Sequence, residues 1–195
     1  ASSTGTDTYS AISAAIGSLK GPLHGGANAK VMSQFADIKA NVRYPDDENE
    51  LREYLTKLLN KQAGDHSGKI YGLGHAVYTI SDPRAELIKA KAGTLAESKG
   101  RMADLQLMQS IERIGKELIM ERRKDDMPLC ANVDMYSGLV YDMLGIPAEL
   151  YTPLFAIARI AGWCANRMEE VLTCNRIMRP AYRAALKNMP YIPQN

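Results

Sequence analysis

The chain has 195 residues, of which 46% are hydrophobic and 24% charged, and a net charge of +2. That much apolar material supplies a core and excludes disorder over most of the length. The near balance of charge gives no reason to expect a nucleic acid or an anionic membrane as partner, and no apolar run nears the roughly 18 residues of a bilayer span.

The pattern along the chain is helical almost throughout. Asp7 or Thr8 caps a first helix with Tyr9, Ile12, Ile16 and Leu19 at helical spacing, and Gly21-Pro22 stops it. A second helix is expected over residues 29–41. The turn at Pro45-Asp46-Asp47 opens a third, with Leu51, Tyr54, Leu55, Leu58 and Leu59 on one side and Gly64 at its end. Residues 69–78, KIYGLGHAVY, are glycine-broken and read as a loop with a short strand. Ser81-Asp82-Pro83 starts a fourth helix, with proline in the first turn, that runs to about Ser98 before Gly100. Leu105, Met108, Ile111, Ile114, Leu118 and Ile119 mark a long amphipathic helix, and Arg122, Arg123 and Lys124 sit at its C-terminal end, where the helix dipole favours cations. Helices follow over residues 135–144 and 147–172, with a kink or break at Pro153. The tail beyond Pro180 is expected to be partly helical.

Cys130, Cys164 and Cys174 are odd in number and stand in no metal-ligand spacing. They read as reduced thiols of a cytoplasmic protein. The chain opens without methionine and without a secretory leader pattern, and enters a helix at once. It reads as a cut through something larger.

His66, in the polar loop AGDHSGK, reads as exposed and without a task. His24 in GPLHGGAN and His75 in YGLGHAVY are flanked by glycines that let the backbone approach a ligand. Each taken alone is equally a turn residue. Asp134, in LCANVDMYSG, falls at a helix start, where a carboxylate is a cap or, in a partly dry pocket, a general base. Arg84, Arg159 and Arg179 lie among apolar neighbours. Arg159 in LFAIARIAGW needs an anionic partner, either a structural carboxylate or a ligand gripped by the guanidinium fork. Together these groups suit one reaction type. A carboxylate removes a proton beside a carbonyl, one histidine supports the enol, another polarises an acceptor ketone, and arginines hold a di- or tricarboxylate.

The segments GPLHGGAN, GLGHAVYTISDPR, NVDMYSG, PLFAIARIAGW and NRIMRP, in this order and spacing, resemble the citrate synthase family over about residues 11–180. The resemblance implies an all-α fold, with residues 25–139 as a small helical domain. Residues 1–24 and 140–195 would be helices of an incomplete large domain. It implies a homodimer whose site lies between large and small domains. Asp134 would be the base toward acetyl-CoA, His24 the group that steadies the enol, and His75 the group that polarises oxaloacetate. Arg84 and Arg159 would hold carboxylates, and Arg179 would reach the partner's site. Gly72, Leu73 and Gly74 would lie along coenzyme A, a substrate portion rather than a cofactor; neither a cofactor nor a metal is implied.

Two departures stand out. Family members carry a basic residue near Thr79 that meets a coenzyme A phosphate, and this chain has VYTIS there. A further oxaloacetate-binding histidine of the family has no counterpart in the chain. The expectation is that the 195-residue piece self-associates through apolar helix faces and shows little activity alone. The alternatives are a 2-methylcitrate synthase, which takes propionyl-CoA on the same scaffold, and a non-catalytic helical interaction domain. The second is disfavoured by the intact His24, His75 and Asp134.

Overall fold

The structure is a computed structural model that describes residues 1–21, 24–123, 127–173, 176–179, 181 and 193. Pro22, Lys124, Cys174 and almost all of the tail beyond Pro180 lie outside the described residues. The helices are α1 (Thr8–Leu19), α2 (Ala27–Asn41), α3 (Glu48–Leu59), α4 (Pro83–Lys99), α5 (Met102–Arg122), α6 (Asp134–Met143) and α7 (Tyr151–Thr173). Short 3-10 turns precede α1 and α7, and no strand occurs among the described residues. The chain is all-α, and the strand expected within residues 69–78 is reduced to one antiparallel bridge, Leu73 to Ala131.

Local chemistry sets the helix starts. Asp7 accepts the amide and hydroxyl protons of Ser10 at 2.9 and 2.6 Å. Asp47 and Asp82 cap α3 and α4 by accepting the amides of Asn49 and Arg84 at 2.9 and 3.0 Å. Gly100, at φ 66°, closes α4 in the left-handed region that a side chain would resist. Three boundaries differ from expectation. Helix α2 starts two residues early, and α3 ends at Leu59, capped by Asn60, rather than at Gly64. The break expected at Pro153 falls earlier, where the 3-10 turn Ala148–Leu150 gives way to α7 at Tyr151. Pro153 then sits in the first turn of α7, where its missing N–H costs nothing.

Packing divides the chain into two units, Ile16–Arg159 and Ala1–Ala15 with Ile160–Asn195. In the first, α6 is the central element and packs against α2, α4 and α5. Met135, Tyr136 and Leu139 of α6 are fully buried with Ile38, Leu51, Leu55, Met108 and Ile114. Each such side chain contributes roughly 1.5–3 kcal/mol of burial free energy. Gly138 permits the close approach of α2, since a Cβ there would stand 2.4 Å from Met32 Cγ and 2.8 Å from Asn28 Oδ1. Two buried carboxylates tie helices together. Glu112 on α5 accepts from Lys89 at 2.8 Å, from Lys116 at 2.5 Å and from the Tyr136 hydroxyl. Asp104 accepts from Lys39 at 2.5 Å and from Arg101. Burial alone would raise both carboxyls, but these donors hold them below their ordinary range. In the second unit, Arg167 donates to the Ser2 carbonyl and hydroxyl at 3.1 and 2.9 Å and to the Thr6 carbonyl at 2.6 Å.

Candidate active site

A cavity of about 320 Å³ in the unit Ile16–Arg159 is lined by His24, His75, Asp134, Arg84 and Arg159. Two loops and three helices deliver them. His24 follows α1 in a tight turn, its amide 3.0 Å from the Gly21 carbonyl. Gly25 is required there, because a Cβ would lie 2.2 Å from the Leu19 carbonyl and 2.8 Å from Thr152 Cγ2. The Thr152 hydroxyl donates to the Gly25 carbonyl at 2.7 Å and joins this turn to the start of α7. From α7, Phe155 meets the His24 ring edge-on with centroids 6.2 Å apart.

His75 stands on the loop whose Gly72 and Gly74 adopt φ 86° and 90°. A Cβ at Gly72 would lie 2.6 Å from Met135 Sδ and 3.0 Å from its Cα, so the loop lies directly on α6. His75 Nδ1 accepts the amides of Val77 and Tyr78, each at 3.0 Å. Those two bonds place the proton of the neutral ring on Nε2. The Arg84 Nη2 group, 3.3 Å from Nε2, is then a second donor rather than a partner.

The carboxylate of buried Asp82 satisfies Arg84. It accepts from Arg84 Nε at 3.0 Å and from Nη2 at 2.8 Å. Asp82 was read in the sequence only as the opening of a helix, and its second task was missed. Three residues, Asp82-Pro83-Arg84, contain both a helix cap and an ion pair, and nothing local distinguishes the two. Arg159 differs. Its guanidinium lies 5.0 Å over the Phe155 ring, and no ion pair is formed by it among the described residues.

Asp134 is the first residue of α6, and it is not a cap: Val133 occupies the cap position and no side chain caps this helix. The cap reading fails because Asp134 makes no cap bond, and the residue lines the cavity instead. Burial raises its pKa, opposed by Arg84 and His24 and then by His75, with Asp82 adding to the rise. A partly dry carboxylate with a raised pKa beside two imidazoles is suited to proton transfer.

The remaining sequence candidates lie elsewhere. Gly74 reaches the first cavity, but Gly72 and Leu73 line a second, of about 430 Å³, with the cationic Lys69, Arg122 and Arg123. Those cations were not singled out for a ligand in the sequence. Arg179 is exposed in the other unit and is not among the cavity residues. His66 is exposed, with Nδ1 2.9 Å from the Lys61 carbonyl. Asn28, Ser137, Tyr141 and Tyr151 also line the first cavity and carried no signal in the sequence. Asn28 Nδ2 donates to the Ser137 hydroxyl while its buried Oδ1 has no partner among the described residues. No group of three or more His, Cys, Asp or Glu is placed to hold a metal ion among the described residues. No described helix is long and apolar enough to cross a membrane.

Residues 1–181 match the family described as citrate synthase, C-terminal domain. The chain is 40% identical to the citrate synthase of Synechocystis over 193 residues, which is 98% of this chain and 44% of that protein. It is 38% identical to 2-methylcitrate synthase 1 of Corynebacterium glutamicum, covering 92% of this chain and 42% of that protein. Among solved structures it is similar to the Thermoplasma acidophilum citrate synthase in complex with carboxymethyl coenzyme A and oxaloacetate. The TM-score is 0.75 at 31% identity, over 98% of this chain and 47% of that one. The chain thus spans under half the length of the relatives it matches.

Proposed function

The chain belongs to the citrate synthase family, and from that premise we propose that it supplies part of a site that condenses acetyl-CoA with oxaloacetate. The observation that carries this reading is the common cavity of His24, His75, Asp134, Arg84 and Arg159. Residues 25–139 would be the small domain, with 1–24 and 140–195 belonging to the large one. In the proposed sequence, Asp134 takes a proton from the acetyl methyl group. Its raised pKa brings it nearer to that of a useful base. His24 donates to the enol oxygen that forms. His75 donates from Nε2 to the ketone oxygen of oxaloacetate, the proton position that its Nδ1 bonds favour. The methylene carbon then forms the new bond to the ketone carbon, whose oxygen takes up a proton. Water cleaves the thioester and releases coenzyme A and citrate.

Arg84 and Arg159 would hold the carboxylates. Arg159, without a carboxylate partner among the described residues, is the stronger candidate for a bidentate grip. Arg84 reaches the cavity already neutralised by Asp82, so it would serve chiefly as an oriented donor. The coenzyme A portion would run along Gly72, Leu73 and Gly74, with Lys69 and Arg122 near its phosphates. Arg179 would enter the site of a second subunit in a homodimer. The 195-residue chain alone would show little or no turnover, and the reaction belongs to the polypeptide that carries it. A 2-methylcitrate synthase is the second reading, favoured by the 38% identity to one. One methylene in a pocket is worth only about 1–3 kcal/mol, so the two thioesters must be compared directly.

The test is coenzyme A release from acetyl-CoA and propionyl-CoA in the presence of oxaloacetate, with the carrying polypeptide. Asp134→Ala should lower the rate by about 10²–10⁴-fold. Equal rates for the variant and the parent would remove Asp134 from the reaction, and the absence of any release would return the chain to a non-catalytic helical role.

A further inference from the structure

We propose that Asn132 is a positioning residue that holds the His75 loop and the Asp134 helix start at one spacing, an inference that rests on the functional reading above. Its side-chain amide is used at both ends. Nδ2 donates to the Gly74 carbonyl at 2.9 Å, and Oδ1 accepts the amide of Asp134 at 3.0 Å. One rigid, planar group thus touches the peptide immediately before His75 and the backbone of Asp134 itself.

The surrounding backbone shows why the side chain is needed. The Asn132 amide donates to the Gly72 carbonyl at 2.9 Å, and the Gly74 amide donates to the Cys130 carbonyl at 2.8 Å. These two bonds flank the bridge between Leu73 and Ala131 and pair the two segments up to Asn132. Beyond Asn132 the chain turns into α6, and backbone pairing with the loop ends. The Asn132 side chain carries the hydrogen-bonded connection on to Asp134, beside the packing of Gly72 on Met135. The chemistry is specific to asparagine at this site, because one end must donate and the other accept across a fixed span. Aspartate keeps the acceptor and loses the donor, and alanine loses both.

Asn132 also stands in the walls of both cavities, beside His75 and Asp134 in one and beside Gly72 and Leu73 in the other. It separates the space assigned to the keto acid from the space assigned to coenzyme A. The methyl group to be deprotonated must pass between them, so the spacing that Asn132 sets is the spacing the reaction uses. A misplacement of about 1 Å costs about 10²-fold in rate.

The experiment has two arms. In the carrying polypeptide, Asn132→Ala should lower kcat by about 10²-fold at saturating substrates, and Asn132→Asp should lower it as well. In an Asp134→Ala background the same change should add less than about twofold, because the group it positions is gone. An unchanged kcat, or the same loss in both backgrounds, overturns the proposal. In the second arm, ¹⁵N relaxation is read at the amides of His75 and Asp134 in this chain without substrate. Asn132→Ala should loosen both amides together. A change at Asp134 with His75 unaltered, or no change at either, overturns the proposal. If the parent releases no coenzyme A, the functional reading fails and the relaxation arm alone decides whether Asn132 joins the two segments.

Discussion

Helices α5 and α7 are of similar length, and both are amphipathic in sequence, yet they meet opposite fates. Helix α5 buries nine of its 21 residues, while α7 buries only Tyr151 of its 23. On α7, Ile157 is 67% exposed and Leu172 82%. Helix α1 is like α7, with Leu19 its only buried residue. The difference teaches that helical period is a local property, whereas burial depends on a partner. In α5 the partners are α3, α4 and α6 within the same unit. Among the described residues, Tyr9 and Ile16 of α1 and Ile157, Ile160, Met168, Val171 and Leu172 of α7 have no such cover, and contiguous exposed apolar surface draws partners.

This contrast can be broken by experiment. Leu55→Ala, at a site with no exposure, should cost about 2–5 kcal/mol in denaturant unfolding. Glu112→Ala should cost about 3 kcal/mol, near the lower bound for a broken buried ion pair, because Lys89 and Lys116 each keep 31% exposure and can hydrate. The same group predicts an acid limb. Glu112 and Asp104 titrate below their ordinary range, so their stabilisation is complete above the unfolded carboxylate pKa of about 4 and is lost as pH falls through the lower folded values. Melting temperature followed from pH 6 downward should show that loss, reduced in Glu112→Ala.

Asp134 has the opposite sign. Its folded pKa is raised, so the charged form is penalised at neutral pH and the penalty fades as pH falls through the raised value. Asp134→Asn should therefore raise the melting temperature at pH 7; a drop would show that the carboxylate is stabilising. Ile157→Ala on α7 should change stability by no more than about 0.5 kcal/mol. Light scattering on the chain should give a mass that grows with concentration and falls when Ile157→Glu and Leu172→Lys are combined. A dilute, concentrated and mutated chain of one monomeric mass would sink the idea that these faces are sticky, and a cost at Ile157 equal to that at Leu55 would end the contrast itself.

Much of the fold was legible along the chain. Asp7, Asp47 and Asp82 announced three helix starts, because a cap acts through the next two or three amides. The end of α3 was misplaced because a left-handed glycine at φ 59° marked the loop beyond the helix rather than its last turn. The site was legible in part. Glycines beside His24 and His75 marked close backbone approaches, and the Cβ clashes at Gly25 and Gly72 give the reason. Asp134 read locally as either a cap or a base, and the tasks of Asp82 and Asn132 were invisible. Their partners Arg84 and Gly74 lie two and 58 positions away: the first is also the spacing of the cap bond, which hides the ion pair, and the second is beyond any local period.

The sequence by itself determined the helices, their caps and the residue types capable of enol chemistry. These follow from forces that act within a few residues, namely side-chain period, capping and backbone strain. The tertiary structure alone decided that residues 24, 75, 84, 134 and 159 share one cavity, that Arg84 is already paired, and that Ile157, Ile160 and Leu172 of α7 stay exposed. Those outcomes depend on packing between segments far apart in the chain. No local rule reaches that distance, because burial and ion pairing are decided by whichever surface arrives opposite.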